Sequence, residues 1–345
     1  MKKHRSSIFL CVLLAVVGWS HGSRAEGITL RIADSFPAGH VFHKVLTIPF
    51  METVEQESKG QIKFQHFPAE QVGKAKDMLT LTQAGVVDIG TVMPDYVSDR
   101  MPLSAAFELP GIFPNYCQGV RAFWNITHNG GYLEKAEFVP NKMVSIITFM
   151  LPTYQIIVSS RDNLESIKDF AGLKVRSAGG AMDFVLFNLK MVPVRMTPPE
   201  VYESMSRGTI DGAALPYNSA KSYKLIPLLK SGTVGENFGT VVSSYSMSED
   251  KWKQLSTDVR STLMKVGYEV SMAACTKFLA EENAALDEAK KNGIKLINFS
   301  AADDKVLSAA FESAANEWAA SLDKRNKHGS EALAAVKKAI AESKQ

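Results

Sequence analysis

The sequence predicts an α/β fold with two lobes, on three observations. Residues Ile28–Ala33 alternate apolar and polar side chains, a helical pattern follows over Val41–Ser58, and Gln61–Phe67 alternates again. This strand, helix, strand order favours a parallel strand pair with a right-handed crossover. The chain has 345 residues, more than one hydrophobic core usually holds. A Gly-x-x-Asp turn also occurs in each half, at Gly85–Ile89 and Gly208–Gly212, which indicates two lobes of related build.

The first residues are typical of a secretory signal peptide. Met1–Arg5 is basic, Ile8–Val17 is apolar, and Ser23–Ala25 supplies small residues for a cleavage site. The apolar run is about half of the roughly 20 residues that a membrane-spanning helix needs, which disfavours an uncleaved anchor. We therefore expect cleavage of residues 1–25 and a periplasmic mature protein.

The charge balance and the cysteines give no sign of a nucleic-acid-binding or cysteine-based metal-binding protein. Cleavage would remove four basic residues and lower the formal net charge from +3 to −1, so the precursor's basic balance gives no reason to expect a nucleic-acid partner. Two cysteines stay in the mature chain, Cys117 and Cys275, without a metal-binding spacing. The sequence leaves their pairing open, and we expect two buried thiols, because free cysteine packs as a small hydrophobe.

The rest of the first half contains further helix and strand patterns. Lys76–Gln83 has a helical pattern, and Val86–Val92 has the pattern of a buried strand. Leu109–Pro114 is an apolar loop stiffened by prolines that could line a cleft. Met143–Thr148 and Tyr154–Ser159 are predicted strands, and their connection fits either a crossing between lobes or a β-hairpin.

The second half continues the alternation of helices and strands. Two prolines ahead of Glu200 favour a helix start, because proline presets the backbone angle and the carboxylate meets the positive end of the helix dipole. Ser256–Lys291 contains no proline and one glycine, which predicts one very long helix or two. The other predicted elements are strands at Leu173–Arg176, Val192–Arg195, Thr209–Ala214, Val241–Met247 and Ile294–Phe299, and helices at Ala181–Lys190, after Ser248, at Ala301–Asp323 and at Ser330–Ser343.

Arg176 is the residue whose placement points to a function. It follows Leu173 and Val175 at the predicted carboxyl end of a strand, the edge at which open α/β sheets bind ligands. The planar guanidinium can grip a carboxylate with two parallel hydrogen bonds, which lysine cannot imitate. From the local sequence alone a surface salt bridge is the better explanation, because most arginines are exposed.

The sequence contains no HExxH, GxSxG, Walker A or strand-linked GxGxxG motif. Gly179 and Gly180 resemble the opening of a phosphate loop, but no Lys-Ser/Thr follows. His40 and His43 have a spacing that permits metal binding, but no third ligand is nearby in sequence, so we interpret them as polar cleft or surface residues. We therefore expect a binding protein, with no catalytic residues, no metal and no cofactor.

Several motifs together resemble the dicarboxylate-binding type of periplasmic solute-binding subunit of tripartite ATP-independent periplasmic (TRAP) transporters. The resemblance runs from the first strand to about residue 320. The matching motifs, in order and with family-like spacing, are Phe67–Gly73, Gly85–Asp88, Leu109–Phe113, Asp169–Arg176, and Glu200–Tyr202 leading to Gly208–Gly212.

The resemblance implies a type II-like periplasmic binding protein fold, with hinge strands and a long helix spanning both lobes. Residues 26–152 with about 242–280 would form lobe I, residues 153–241 with about 281–310 lobe II, and residues 311–345 would be helices packed on the lobes. It also implies that Arg176 binds the carboxylate of an organic acid, which passes to TRAP permease subunits in the membrane. We favour a monomer.

Departures from the family pattern bear on the ligand. Leu215 stands where many relatives have a ligand-contacting Asn, and the neighbourhood of Tyr154 lacks the second Arg of sialic-acid-binding relatives. We therefore predict a monocarboxylate with an apolar or aromatic body, since Leu215 would leave a ligand hydroxyl unpaired at a cost of roughly 1–3 kcal/mol. The candidate ligand-binding residues are Arg176, Leu215, Phe36, His40, Phe149, Tyr154, Phe184, Tyr217 and Asn218, with Met150 as a further wall residue.

Other functions stay open at this point. A C4-dicarboxylate or a 2-oxo acid is the alternative ligand. An exported ligand sensor or a hydrolase is the alternative from another class of protein, although the sequence shows no nucleophile and base pair for hydrolysis.

Overall fold

The structure is a computed structural model that describes residues 27–343. The predicted signal peptide, residues 1–25, lies outside this range. The strands are β1 (Ile28–Ala33), β2 (Ile62–Phe67), β3 (Ile89–Val92), β4 (Met143–Met150), β5 (Gln155–Val158), β6 (Lys174–Ser177), β7 (Val192–Arg195), β8 (Gly212–Leu215), β9 (Ser231–Thr233), β10 (Val242–Ser248) and β11 (Lys295–Ile297). The α-helices are α1 (Ile48–Glu57), α2 (Met78–Gln83), α3 (Tyr116–Thr127), α4 (Ala181–Asn188), α5 (Val201–Ser206), α6 (Tyr217–Ser222), α7 (Glu249–Gln254), α8 (Thr257–Lys291), α9 (Ala301–Asp323) and α10 (Gly329–Glu342). Of these described helices, none has the length and apolarity that crossing a bilayer requires.

The first sheet has five strands in the order β2-β1-β3-β10-β4. The alternation that predicted β1 turns Leu30 and Ile32 into the core and leaves Arg31 partly exposed. β1 pairs in parallel with β2 and with β3, which confirms the predicted crossover. β10 lies antiparallel between β3 and β4, so a strand from late in the chain completes a sheet that begins at its start.

The second sheet has six strands in the order β11-β9-β5-β8-β6-β7. β6 is parallel to β7 and β8, while β5 is antiparallel to β8 and β9. Because β4 belongs to the first sheet and β5 to the second, the segment from Met150 to Gln155 crosses between the sheets. The β-hairpin alternative is therefore wrong. The lobe boundaries given above stay a prediction.

The repeated Gly-x-x-Asp turn makes the same hydrogen bonds in both sheets. Asp88 donates its backbone N–H to the carbonyl of Arg31 (2.9 Å) and accepts the N–H of Arg31 at Oδ2 (2.8 Å). Asp211 exchanges the same two bonds with Lys174, at 2.8 Å and 2.9 Å. In each case a carboxylate directly before one strand, β3 or β8, satisfies the backbone of its parallel neighbour, β1 or β6, so one local device sets the strand register in both sheets.

The segment Ser256–Lys291, predicted as one very long helix or two, forms a single 35-residue helix, α8. Ser256 caps its first turn by accepting the N–H of Val259, and at 1.5 Å per residue the helix is roughly 52 Å long. It packs against α1, α3 and β4 on one side of the molecule and against α6 on the other. Gly267 permits this packing, because a Cβ there would overlap the carbonyl oxygen of Ile146 in β4.

Cys117 and Cys275 form a disulfide, so the expectation of two buried thiols is wrong. Cys117 lies in α3 and Cys275 in α8, and the packing of these helices brings the two Cα atoms to 5.3 Å, within the span that a disulfide bridges. The cysteines are 158 residues apart in sequence, so no local pattern could reveal the pair.

The last two helices cover different parts of the molecule. α9 packs against α4, beside the second sheet, and α10 packs against α3, beside the first. The two helices also contact each other. They form an outer layer, as their alanine-rich and charged composition predicts.

Candidate functional site

Arg176 lies at the carboxyl end of β6, as the sequence predicts, and its side chain is 0 % exposed. Nε donates to the carbonyl of Met196 (3.0 Å) and Nη1 donates to the carbonyl of Ala214 (3.2 Å). Nη2 donates to the hydroxyl of Tyr96 (3.3 Å). No carboxylate among residues 27–343 makes a salt bridge with this guanidinium, so a surface salt bridge does not explain it.

The guanidinium keeps capacity for a ligand. The three bonds to Met196, Ala214 and Tyr96 use three of its five N–H groups and leave one on each Nη atom, and the hydroxyl of Tyr154 also faces the guanidinium. Two N–H groups on the two Nη atoms are the pair with which arginine binds a carboxylate end-on. The backbone carbonyls behind Arg176 therefore fix the side chain while its far end is left for recognition.

Tyrosines from three parts of the chain surround this cation. Tyr96 follows β3 of the first sheet, Tyr154 precedes β5 and Tyr223 follows α6. Burial raises the pKa of Tyr96 to about 12 and the pKa values of Tyr154 and Tyr223 further above their ordinary value, so all three stay neutral hydroxyls. Burial opposes the charge on Arg176, but the hydroxyls of Tyr96 and Tyr154 outweigh it and raise the pKa of the guanidinium.

Two buried carboxyl groups, Asp95 and Glu108, adjoin the same region. Burial raises the pKa of Asp95 to about 6, and burial together with the neighbouring Asp95 raises the pKa of Glu108 well above its ordinary value. Glu108 accepts the N–H of Val242 at 3.2 Å. Both groups converge on Gly180, where a Cβ would overlap Asp95 Oδ1, so the backbone of the second lobe approaches the first lobe at a residue without a side chain. The Gly179–Gly180 pair thus serves close packing between lobes.

A cleft of about 610 Å³ opens next to the Arg176 group. Tyr96 and Met196, both hydrogen-bonded to Arg176, form part of its wall. The cations on the wall are mostly paired: Lys74 with Glu70 at 2.8 Å, and Arg195 with Asp183. A smaller cavity of about 260 Å³ lies nearby and is lined by Ser35, Pro37, Ala69, Glu70, Pro199, Ser222, Tyr223 and Lys224.

Phe36 and His40 lie close to the tyrosine cluster. The ring of His40 stacks on Phe36 with centroids 4.8 Å apart and meets Tyr223 edge-on at 5.0 Å. His40 is buried, and its Nε2 has no hydrogen-bond partner within the described residues. Burial lowers the pKa of His40 to about 3, so the ring is neutral. Both His40 and His43 are buried, which rules out the surface alternative of their interpretation and leaves the alternative of polar cleft residues.

The other predicted ligand-binding residues are more scattered. Leu215 ends β8 one residue after Ala214, which binds Arg176, and is buried. Phe149 packs between Phe42 and Tyr245 in the core of the first lobe, with Met150 beside it. Leu215, Phe149 and Met150 do not line the cleft of about 610 Å³, and their role in binding stays a prediction.

Tyr217, Asn218 and Phe184 have other surroundings. Tyr217 donates its hydroxyl to the carbonyl of Thr233 (3.1 Å), and the backbone N–H groups of Tyr217 and Asn218 donate to Glu282 of α8 (2.8 Å each). These bonds anchor the start of α6 to α8, so Tyr217 and Asn218 have a structural role. Phe184 lines a separate cavity with Gly180, Trp318 and Arg325.

The sequence reasoning missed Tyr96, Tyr223, Asp95 and Glu108. Asp95 and Tyr96 come three and four residues after the end of β3, so the rule that ligands bind at the carboxyl ends of strands could have found them. Tyr223 lies just beyond the end of α6, and Glu108 lies in a short 3₁₀ helix. No local sequence signal marks either residue.

A comparison with family models gives a match over residues 32–321 to the bacterial extracellular solute-binding proteins, family 7. The chain belongs to this family. Family 7 proteins are solute-binding proteins of TRAP transporters, a class of binding proteins and not of enzymes, which agrees with the absence of a catalytic motif.

Curated family 7 relatives cover most of the chain. A solute-binding protein of Albidiferax ferrireducens is 25% identical over 276 residues, which are 78% of this chain and 77% of the relative. The C4-dicarboxylate-binding periplasmic protein of Rhodobacter capsulatus is 26% identical over 298 residues, 85% of each chain.

Solved structures of family 7 proteins share the fold. A TRAP solute-binding protein of Rhodoferax ferrireducens in complex with copurified benzoate has a TM-score of 0.83 at 23% identity, covering 92% of this chain and 98% of that one. A marine metagenome TRAP protein specific for aromatic acid ligands, with 3-hydroxybenzoate, has a TM-score of 0.85 at 23% identity, covering 93% and 100%. These similarities establish the two-lobed α/β fold with a long helix.

Proposed function

We propose that this family 7 protein captures an organic acid with one carboxylate and an apolar or aromatic body, and delivers it to a TRAP permease in the membrane. The observation that carries the proposal is the buried Arg176 guanidinium with one N–H left on each Nη atom. A buried cation without a carboxylate partner is costly, and an anionic ligand offsets that cost.

Arg176 is the proposed carboxylate-binding residue. Met196 and Ala214 hold the guanidinium from behind, so little side-chain freedom is lost when a ligand binds. The neutral hydroxyls of Tyr96 and Tyr154 can donate to the same carboxylate, since their raised pKa values keep the protons in place. Charge-assisted hydrogen bonds in a site closed to water are stronger than exposed ones.

The proposed partner of the ligand's body is an aromatic and apolar wall. Phe36, His40 and Tyr223 form a contiguous group of rings next to the Arg176 cluster, and Leu215 follows the strand residue that holds Arg176. Aromatic rings favour offset or edge contacts with one another, which suits a flat ligand ring. Benzoate, 3-hydroxybenzoate and mandelate, bound by structural relatives, all combine one carboxylate with one ring.

Delivery to a permease requires opening and closing of the lobes. Arg176 comes from the second sheet and Tyr96 from the end of β3 in the first, so closure assembles the proposed carboxylate site from both lobes. The strands that cross near Met150–Gln155 and the long helix α8 are the elements that connect the lobes. A periplasmic location and a monomeric state complete the proposal.

A ligand screen on the mature protein tests the proposal. Copurified ligand is first identified by mass spectrometry after denaturation, and thermal shift and calorimetry then compare benzoate, 3-hydroxybenzoate and mandelate with succinate and galacturonate. We expect the aromatic acids to stabilise the protein. Benzamide, which keeps the ring and lacks the charge, should have no effect. Stabilisation by succinate or galacturonate, with none by the three aromatic acids, would contradict the proposed ligand class.

A further inference from the structure

Asp34, His43 and His66 meet at the carboxyl edge of the first sheet. Asp34 directly follows β1, and His66 lies in β2 opposite Ile32 of β1. His43 begins the helical segment that leads into α1. The sequence analysis rejected a metal at His40 and His43 for want of a third ligand nearby, and the parallel pairing of β1 and β2 supplies His66 from 23 residues further along the chain.

The three side chains present their donor atoms to one point. His43 Nε2 lies 3.0 Å and 3.2 Å from the two oxygens of Asp34, and His66 Nε2 lies 2.8 Å from Oδ2. One donor atom from each residue lies within 4.8 Å of the others. A tetrahedral ion with bonds of about 2.0–2.1 Å holds its ligand atoms roughly 3.3 Å apart, which is close to the two His–Asp34 distances.

The buried negative charge of Asp34 favours a cation at this site. Asp34 is 0 % exposed, and its carboxylate contacts the imidazoles of His43 and His66. No lysine or arginine forms a salt bridge with Asp34 in the part of the chain that is described; its ion-pair partners there are the two imidazoles. A divalent ion bound to two neutral imidazoles and one carboxylate would compensate the buried charge directly.

Surrounding groups hold the carboxylate in place. The backbone N–H of Phe36 donates to Asp34 Oδ1 (2.9 Å), and the hydroxyl of Tyr245 donates to Oδ2 (3.3 Å) while it also bonds Thr47 (2.6 Å). Hydrogen bonds of this kind orient the ligating groups of metal sites. The side chain of His66 is 18% exposed, which gives solvent, and a water as fourth ligand, access to the site.

We propose that Asp34, His43 and His66 form a binding site for a divalent transition-metal ion, with Zn²⁺ as the preferred metal. Two imidazole nitrogens and one carboxylate oxygen are typical ligands of zinc, whereas Mg²⁺ and Ca²⁺ prefer an all-oxygen shell. Asp34 is two residues before Phe36, a ring of the aromatic wall described above. A metal bound to Asp34 would therefore fix the loop that carries this wall.

Metal titration of the untagged mature protein, stripped with a chelator and free of ligand, tests the proposal. We expect one Zn²⁺ per chain with a dissociation constant below about 1 µM, a higher Tm with Zn²⁺ but not with Mg²⁺, and the visible absorption of four-coordinate Co²⁺. His66→Gln should weaken Zn²⁺ binding at least tenfold, as loss of one of three ligands implies. His328→Gln, which changes an exposed histidine far along the chain, is the matched control and should bind as the unchanged protein does.

Two outcomes would overturn the metal site. One is the absence of stoichiometric Zn²⁺ binding by a protein that is folded by circular dichroism, which would leave the triad as a hydrogen-bonded structural group. The other is equal Zn²⁺ affinity in His66→Gln and the unchanged protein. Because the titration contains no organic acid, either result leaves the proposed carboxylate ligand unaffected.

Discussion

The guanidinium of Arg176 donates to the hydroxyl of Tyr96 at 3.3 Å, and this bond joins a strand of the second sheet to the segment that follows a strand of the first. Arg176 is the last residue but one of β6, whereas Tyr96 lies in the short 3₁₀ helix after β3. An arginine held by its own lobe through Met196 and Ala214 thus reaches a phenol of the other lobe. The contact reports lobe closure and places a second polar group at the proposed carboxylate site.

Tyr96→Phe should weaken binding of an aromatic acid about tenfold. The substitution keeps the ring and removes the hydroxyl that bonds the charged guanidinium, and hydrogen bonds to charged groups contribute about 1.5–3 kcal/mol. Calorimetry with the best ligand of the screen measures the change. Tyr202→Phe, at a partly exposed tyrosine on α5, is the control, and an equal loss there would show that the effect is not specific to Tyr96.

Arg176→Lys should weaken ligand binding by at least two orders of magnitude. Lysine keeps the positive charge but cannot hold the carbonyls of Met196 and Ala214 and a carboxylate at once, since it lacks the planar fork. Calorimetry measures the affinity, and circular dichroism checks the fold. Arg207→Lys, at an exposed arginine of the second lobe, is the control. Unchanged affinity in Arg176→Lys would remove this residue from the site.

Gly180→Ala should reduce ligand affinity more than its effect on stability explains. Gly180 has φ +56°, and a Cβ there would overlap Asp95 Oδ1 of the other lobe, so the substitution opposes closure. Gly172→Ala is a matched control, because Gly172 has φ +79° with nothing within 4 Å of an added Cβ. Both variants carry backbone strain. If they bind ligand equally well, the contact between Gly180 and Asp95 does not govern closure.

Affinity for an aromatic acid should fall as the pH rises through about 6. Burial raises the pKa of Asp95 to about 6, so Asp95 is neutral below that pH and negative above it. It faces Glu108, Arg176, Asp183 and Arg195, and its negative charge competes with the ligand's carboxylate for the cation. The ligand itself stays ionised throughout.

The raised pKa of Asp95 also predicts how the stability of the fold changes with pH. A carboxyl group whose pKa is raised by folding adds stability that is complete below its unfolded pKa and is lost as the pH rises through its folded pKa. Asp95→Asn should therefore flatten the stability profile between about pH 4 and pH 6, measured by denaturant unfolding, and the affinity profile around pH 6, measured by calorimetry. A profile that keeps its slope in Asp95→Asn would assign the titration to another group.

Removal of the disulfide should lower the free energy of unfolding by about 2–5 kcal/mol, because the bond closes a loop of 158 residues and so restricts the unfolded chain. The measurement is urea unfolding of the protein with and without a thiol reductant. The double variant Cys117→Ser with Cys275→Ser is the control and should not respond to the reductant. An unaltered unfolding midpoint on reduction would mean that the bond does not stabilise the fold.

The elements that depend on local pattern follow from the sequence. Alternation gave the bounds of β1, and a run of good helix-forming residues gave α9. The Gly-x-x-Asp turns were recognised as one repeated device, and the structure adds that each satisfies the backbone of Arg31 or Lys174. The position of Arg176 at a strand end follows in the same way, because it needs only residues within one short segment.

Other features depend on which distant segments pack together. The bond between Arg176 and Tyr96, the disulfide between Cys117 and Cys275, and the meeting of His43 with His66 through Asp34 each join residues from separate elements. Strand order and helix packing decide such contacts, and their stabilising energy comes from burial that no local window of sequence contains. The sequence by itself therefore determined the elements, the two-lobed plan and the place of Arg176 near the carboxyl end of a strand. Only the tertiary structure decided which tyrosines, acids and histidines surround them.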